Sequence, residues 1–173
     1  MREVLVMSQR DKDFNGGVKP GTTAFDEDSR RLDKYLKEMR DSIIAPEFKM
    51  VKKFDKDMKN RLVGKDCFGF EPDGGAWFKN GKLVAVFEAK KQGKLGNANE
   101  RWFKNASIAY FINSDVKYVT FCTGEGADKG NPLDKMGDLA ECIFGKNNIF
   151  HCQVEPFTKR QVCDIMIEVL EGI

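Results

Sequence analysis

Asp73, Glu88 and Lys90 are the residues of this 173-residue chain whose types and spacing could do chemistry. They flank Asn80-Gly81 within "FEPDGGAWFKNGKLVAVFEAKK", Phe70 to Lys91. Asn-Gly between apolar runs is a strong hairpin signal, because a type I′ turn needs positive φ at both central residues. With these two as the turn, Lys79 faces Lys82 and Phe78 faces Leu83. The same register carried back sets Asp73 directly opposite Glu88, and the side-chain period of two puts Lys90 on the face of Glu88. Opposed carboxylates destabilise a sheet. The run Leu83, Val84, Ala85, Val86, Phe87 is apolar on both faces, the pattern of a strand buried on both sides. Lys90 supplies one compensating charge, whereas a divalent cation would satisfy both carboxylates. Oxygen donors without imidazole or thiolate favour magnesium or manganese over zinc. A second reading stays open on spacing alone: Asp73 turns the chain after Pro72, while Glu88 and Lys90 emerge into solvent as the strand ends.

The elements that would position these residues follow from periodicity and punctuation. Gly16-Gly17 and Pro20-Gly21 mark residues 8–25 as a loop. Asp26 to Asp41 reads as a helix, with acidic residues at its start and Leu32, Tyr35, Leu36 and Met39 at helical spacing. Phe48 to Phe54 is a predicted strand, followed by a short helix over Asp55–Leu62. After the hairpin, Asn99–Asn113 reads as a buried helix and Lys117–Thr123 as a β-branched and aromatic strand. A helix over Leu133–Phe144, a strand over Asn148–Val154 and a last helix capped by Thr158 and running through Leu170 complete the chain. The expected fold class is therefore α/β: one domain over residues 1–173, with a mixed central sheet of about five strands and helices on both faces.

Composition is that of a folded globular chain rather than a disordered one. Net charge is +2, so no global basicity points to nucleic acid. Locally the balance differs: Lys79, Lys82, Lys90, Lys91, Lys94, Arg101 and Lys104 stand against only Glu88 and Glu100, and electrostatic footprints are local. Cys67, Cys122, Cys142, Cys152 and Cys163 are widely spaced and His151 is the only histidine. That spacing argues against a zinc cluster and for reduced, mostly buried thiols in a cytosolic protein. The apolar run Val4–Met7 is too short for a secretory signal or a membrane span, so a cytoplasmic location is expected.

Pro72-Asp73 followed by Glu88-Ala89-Lys90 is the signature of the PD-(D/E)xK nucleases, and the surrounding text is more specific. "PDGG", "EAKKQGK" and "GNANER", in this order, resemble the EcoRI and MunI branch of type II restriction endonucleases, densely over Pro72–Asn105. The resemblance implies a restriction-endonuclease-like core in which Asp73 and Glu88 bind Mg2+ (Mn2+ substituting), aided by the backbone carbonyl of Ala89. Lys90 would orient and activate the attacking water and stabilise charge on the phosphate. It further implies that Gly96, Asn97, Ala98, Asn99, Glu100 and Arg101 read an AATT core in the major groove, with Lys91, Gln92 and Lys94 near the scissile phosphate or the groove. Asn and Arg have the donors and acceptors for such reading. The implied product ends are 5′-phosphates. The implied setting is a prokaryotic or viral host cell, with a companion DNA methyltransferase acting on the same site. A palindrome is read most simply by a two-fold dimer, so a homodimer is expected.

This chain departs from that pattern in places. The segment between the EAK and GNA blocks is shorter than is common in the family, where it helps to read flanking bases and wrap the duplex. Glu71 stands before Pro72 where EcoRI has a basic residue, either as a further site carboxylate or as a surface residue. Two alternatives stand beside the restriction enzyme: a structure-specific junction or repair nuclease of the same superfamily, and a DNA-binding protein without cleavage.

Overall fold

The computed structural model describes residues 5–6, 24–53, 70–91, 98–123, 141–153 and 155–173. Its centre is a sheet whose strands lie in the order β3-β4-β5-β6-β7. These are β3 (Phe48–Val51), β4 (Ala76–Lys79), β5 (Lys82–Lys91), β6 (Lys117–Thr123) and β7 (Asn148–Gln153). The first three pair antiparallel and the last three parallel, giving the mixed sheet expected. A separate short pairing joins β1 (Leu5–Val6) to β2 (Ile43–Ile44), which the bare sequence did not announce.

Among the described residues, helices α1 (Ala24–Ser42), α2 (Ala98–Ile112) and α3 (Lys159–Glu171) pack against the sheet. The α1 helix begins at residue 24, so the predicted loop ends earlier than expected; residues 8–23 lie outside the described residues. Leu32, Leu36 and Met39 turn inward, as their spacing requires, and join Val162, Met166 and Leu170 of α3 over one face of the sheet. That face presents Trp77, Ala85, Phe87, Val119 and Phe121. The opposite face presents Phe78, Leu83, Val86 and Tyr118, covered by Trp102, Ala106 and Ala109 of α2 together with Phe144. A parallel neighbour can be reached only by a crossover long enough to span the sheet, and α2 lies within the connection from β5 to β6. Helices on both faces are thus observed. The Thr158 cap is present as a capping box with Gln161, which satisfies two of the amides a helix start leaves bare.

Other expectations shift by a few residues or fall where nothing is described. The strand expected over 48–54 stops at Val51, and the helix expected over 55–62 lies outside the described residues. Of the helix expected over 133–144, residues 141–144 are helical and the rest lies outside. The thiols are less uniformly hidden than expected: Cys122 and Cys163 are buried, Cys152 is half-buried and Cys142 is exposed, and none of these four is in a disulfide. Among the described residues no helix is long and apolar enough to cross a membrane.

Candidate active site

The hairpin turn forms as its residues require, with Asn80 at φ 53° and Gly81 at φ 78°. Lys79 pairs with Lys82 and Phe78 with Leu83. Beyond that the expected register fails. A bulge between Trp77 and Phe78 shifts the pairing, so that Trp77 faces Ala85 and Ala76 faces Val86. Asp73 is therefore not opposite Glu88. It sits in the turn before β4, where its Oδ2 accepts the Ala89 backbone amide at 3.2 Å. The physical reason is volume: the slip sets the small Ala85, rather than Val84, against the indole of Trp77, and Val84 becomes the extra residue.

Asp73 still bears on Glu88 through its charge. It acts in the direction that raises the Glu88 pKa. Lys90 lies on the face of Glu88, as the period of two predicts, and its ammonium pairs with Glu88 Oε1. The same oxygen accepts the side-chain amide of Asn105 from α2 at 3.1 Å. Glu88 Oε2 is buried and has no hydrogen-bond partner. Glu88 is only 5% exposed, so the reading in which it emerges into solvent is overturned.

Two residues of α1 that sequence reasoning missed hold Asp73 from the other side. Arg40 Nη1 donates to the Asp73 carbonyl at 3.0 Å and lies 3.5 Å from that of Pro72. Lys37 Nζ lies 3.9 Å from Asp73 Oδ1; it belongs to the charged solvent face of α1, an open depression lined also by Arg30, Asp33, Lys34, Glu38 and Asp41. The Pro72–Gly75 turn is further pinned to β5, since Gly74 N–H donates to Phe87 O at 2.9 Å and Phe87 N–H to Gly75 O at 3.2 Å. This explains the paired glycines: a Cβ on Gly74 would lie 2.5 Å from Phe87 Cβ, and Gly75 has φ 82°. Gly74→Ala is therefore expected to cost about 1–3 kcal/mol through overpacking, measured by urea unfolding, and to displace Asp73 with it.

Burial is the largest influence on the Glu88 carboxyl, pushing its pKa up, with Asp73 acting the same way and Lys90 and Asn105 opposing. The net shift is upward from the ordinary value of 4.5. An acid held above its unfolded pKa contributes stability that is fully present below the unfolded value and lost as pH rises through the folded one. The metal-free protein is thus expected to lose stability from about pH 4.5 upward relative to Glu88→Gln, in which this contribution is absent. Urea midpoints of both proteins across pH 4–8 check the sign. The Tyr118 hydroxyl is buried and makes no hydrogen bond of good geometry, though the Asn105 side chain lies close enough to act on it. Burial chiefly, then Glu88 and Asp73, holds its pKa well above the ordinary range.

The donor set fits a hard divalent cation. An orphaned, buried carboxylate oxygen beside a second carboxylate is costly unless a positive charge faces it. Among the described residues no three His, Cys, Asp or Glu side chains cluster to hold a metal. Two carboxylates would leave the remaining positions to water, backbone carbonyl or phosphate oxygens, the arrangement magnesium commonly takes. Of Ala89 the contact shown is through its amide.

The predicted DNA-contacting residues divide. Gln92, Lys94, Gly96 and Asn97 lie outside the described residues. Ala98, Asn99, Glu100 and Arg101 form the first turn of α2 and Lys91 ends β5, by their backbones. Glu71 pairs with Lys53 at 3.4 Å and is half exposed, the surface role rather than the metal one. Asn105 could have been suspected, as a polar residue on the helix stripe that buries Trp102, Ala106 and Ala109. No family model matches the chain, and neither a curated protein nor a solved structure does.

Proposed function

We propose that the chain is a magnesium-dependent type II restriction endonuclease, hydrolysing phosphodiester bonds of double-stranded DNA at a palindromic site with an AATT core. The observation that carries the chemistry is the buried, unpartnered Oε2 of Glu88 beside Asp73 and Lys90. The substrate and site sequence rest on the resemblance of residues 72–105 and on the excess of basic residues between Lys79 and Lys104. A homodimer is the form in which two such sites would cut the two strands, with a methyltransferase protecting the host's own sites.

Asp73 and Glu88 would hold the cation, with the Ala89 carbonyl as a further ligand. When bound, magnesium lowers the pKa of a ligated water and polarises the phosphoryl oxygens. Lys90, whose side chain is 14% exposed, is held by Glu88 at the mouth of the site. Its ammonium donates to a non-bridging oxygen of the scissile phosphate and orients the attacking water, stabilising charge that grows on the phosphate. Arg40 keeps the Asp73 turn in place through the two backbone carbonyls and takes no part in the chemistry. Lys37, about half exposed beside Asp73, adds positive potential where a phosphate would approach.

The test is digestion of a sequenced plasmid with magnesium, and with chelator as control, mapping every cut end. Discrete cuts at AATT-centred sites bearing 5′-phosphates are the expected result. Cuts at branched or random positions would keep the catalytic residues but replace the substrate with a DNA structure. A folded protein that cuts nothing with magnesium or manganese would sink the proposal.

A further inference from the structure

We infer that Asn105 is a positioning residue for Glu88, and that α2 thereby ties the orientation of the metal-binding carboxylate to the turn of helix assigned to DNA contact. This rests on the nuclease reading above. The Asn105 amide reaches Glu88 Oε1 at 3.1 Å, the oxygen that also takes the Lys90 ammonium. Holding Oε1 with two donors leaves Oε2 without a partner, the oxygen that would be offered to a cation.

The two donors differ in what else they must do. Lys90 is on the same strand as Glu88 and has the phosphate to serve as well, with the N–H groups that Oε1 leaves over. Among the described residues Asn105 is the other side-chain donor to Glu88, and it comes from a different element. Its helix is seated independently of that bond. Trp102 Nε1 donates to the buried Thr120 hydroxyl at 3.0 Å, and Thr120 is the register partner of Glu88 on β6. At the far end Asn113 donates to Leu83 O at 2.7 Å, on the strand that carries Glu88. Between these anchors the helix is stiff. Ala98–Arg101 forms its first turn, and Asn105 lies four residues beyond Arg101, roughly 6 Å along the axis. The helix that carries the first turn is thus the one that holds Oε1, so that a base contact and the metal ligand share one rigid body.

The test compares wild type with Asn105→Ala. Calorimetric titration of the DNA-free protein with magnesium is expected to show affinity weakened about 10–100-fold, as loss of an outer partner of a metal ligand does. Single-site cleavage kinetics should show kcat reduced about 10-fold or more with KM for DNA little changed, while a thermal melt without metal reports separately the stability lost with a hydrogen bond to a buried carboxylate. If Asn105→Ala does not fold, side-chain amide resonances of wild-type Asn105 give the answer instead. They should move in Glu88→Gln and on magnesium addition, with the midpoint of the calorimetric titration. Magnesium affinity in Asn105→Ala equal to wild type, or Asn105 resonances blind to both changes, overturns this inference alone. A wild-type protein that neither binds magnesium nor cuts DNA overturns it together with the nuclease reading.

Discussion

Glu88→Gln is expected to lower magnesium-dependent cleavage by on the order of 10³-fold or more, with the protein still folded. The size follows from what a metal contributes to a phosphoryl transition state, several kcal/mol, at a tenfold rate change per ~1.4 kcal/mol. The substitution conserves shape and keeps an oxygen that can accept from Lys90 and Asn105, as Glu88 Oε1 does now. What it removes is the charge on a carboxylate whose second oxygen is buried and unpartnered, and a neutral amide is a poor ligand for a hard cation. Activity of the variant should not recover at higher pH, because no group remains there to ionise. Cleavage within tenfold of wild type would mean that the cation, if one is used, is held elsewhere. Measurement of kcat beside a thermal melt separates lost chemistry from lost fold.

Trp102→Ala is expected to cost about 3–5 kcal/mol of stability, the usual range for truncating a buried aromatic. Domains of ordinary stability have only ~5–15 kcal/mol in total, so this is among the most damaging single changes available. Trp102 is 1% exposed and stands at the centre of an aromatic cluster. Its ring lies 5.4 Å from Phe150, 5.9 Å from Phe144 and 6.2 Å from Tyr118, mostly in the tilted and edge-on arrangements that aromatic quadrupoles favour. Trp102→Phe separates two parts of the effect. It keeps most of the ring contacts and loses the indole donor to Thr120, leaving a buried hydroxyl unsatisfied at ~1–3 kcal/mol. Urea unfolding of both variants without metal makes the comparison. If Trp102→Ala costs less than about 1 kcal/mol, below the range for a buried aromatic, the cluster is not what seats α2, and the rigid connection from its first turn to Glu88 loses its footing.

Local chemistry makes parts of this protein legible from residue types alone. The Asn80-Gly81 turn could be named because positive φ is a property of those residues alone, and both angles are positive. The faces of α1 and α3 could be named because helical spacing puts Leu32 with Leu36, and Val162 with Met166, on one side. The pairing of Lys90 with Glu88 followed from the two-residue period of a strand that the apolar run already marked as buried. The bulge was not legible. It is decided by the fit of Trp77 against Ala85 rather than Val84, a matter of volumes within a filled core and not of residue preference.

Nor could the sequence place Arg40, Lys37 or Asn105 beside the site. Arg40 reaches Asp73 across 33 positions of chain and Asn105 reaches Glu88 across 17, distances over which no periodicity carries information. Residue types along the chain determined which groups could do chemistry, which turn would bring β4 and β5 together, and that a mixed sheet would be covered on both faces. Only the packing of α1 and α2 against that sheet decided that Glu88 is withdrawn from solvent, that one of its oxygens is held twice and the other not at all, and that Asp73 is gripped by its backbone. Burial and long-range hydrogen bonds are properties of a closed tertiary structure. They turn two carboxylates and an amine, an ordinary set of surface residues by composition, into a half-hidden cluster with one unpartnered carboxylate oxygen.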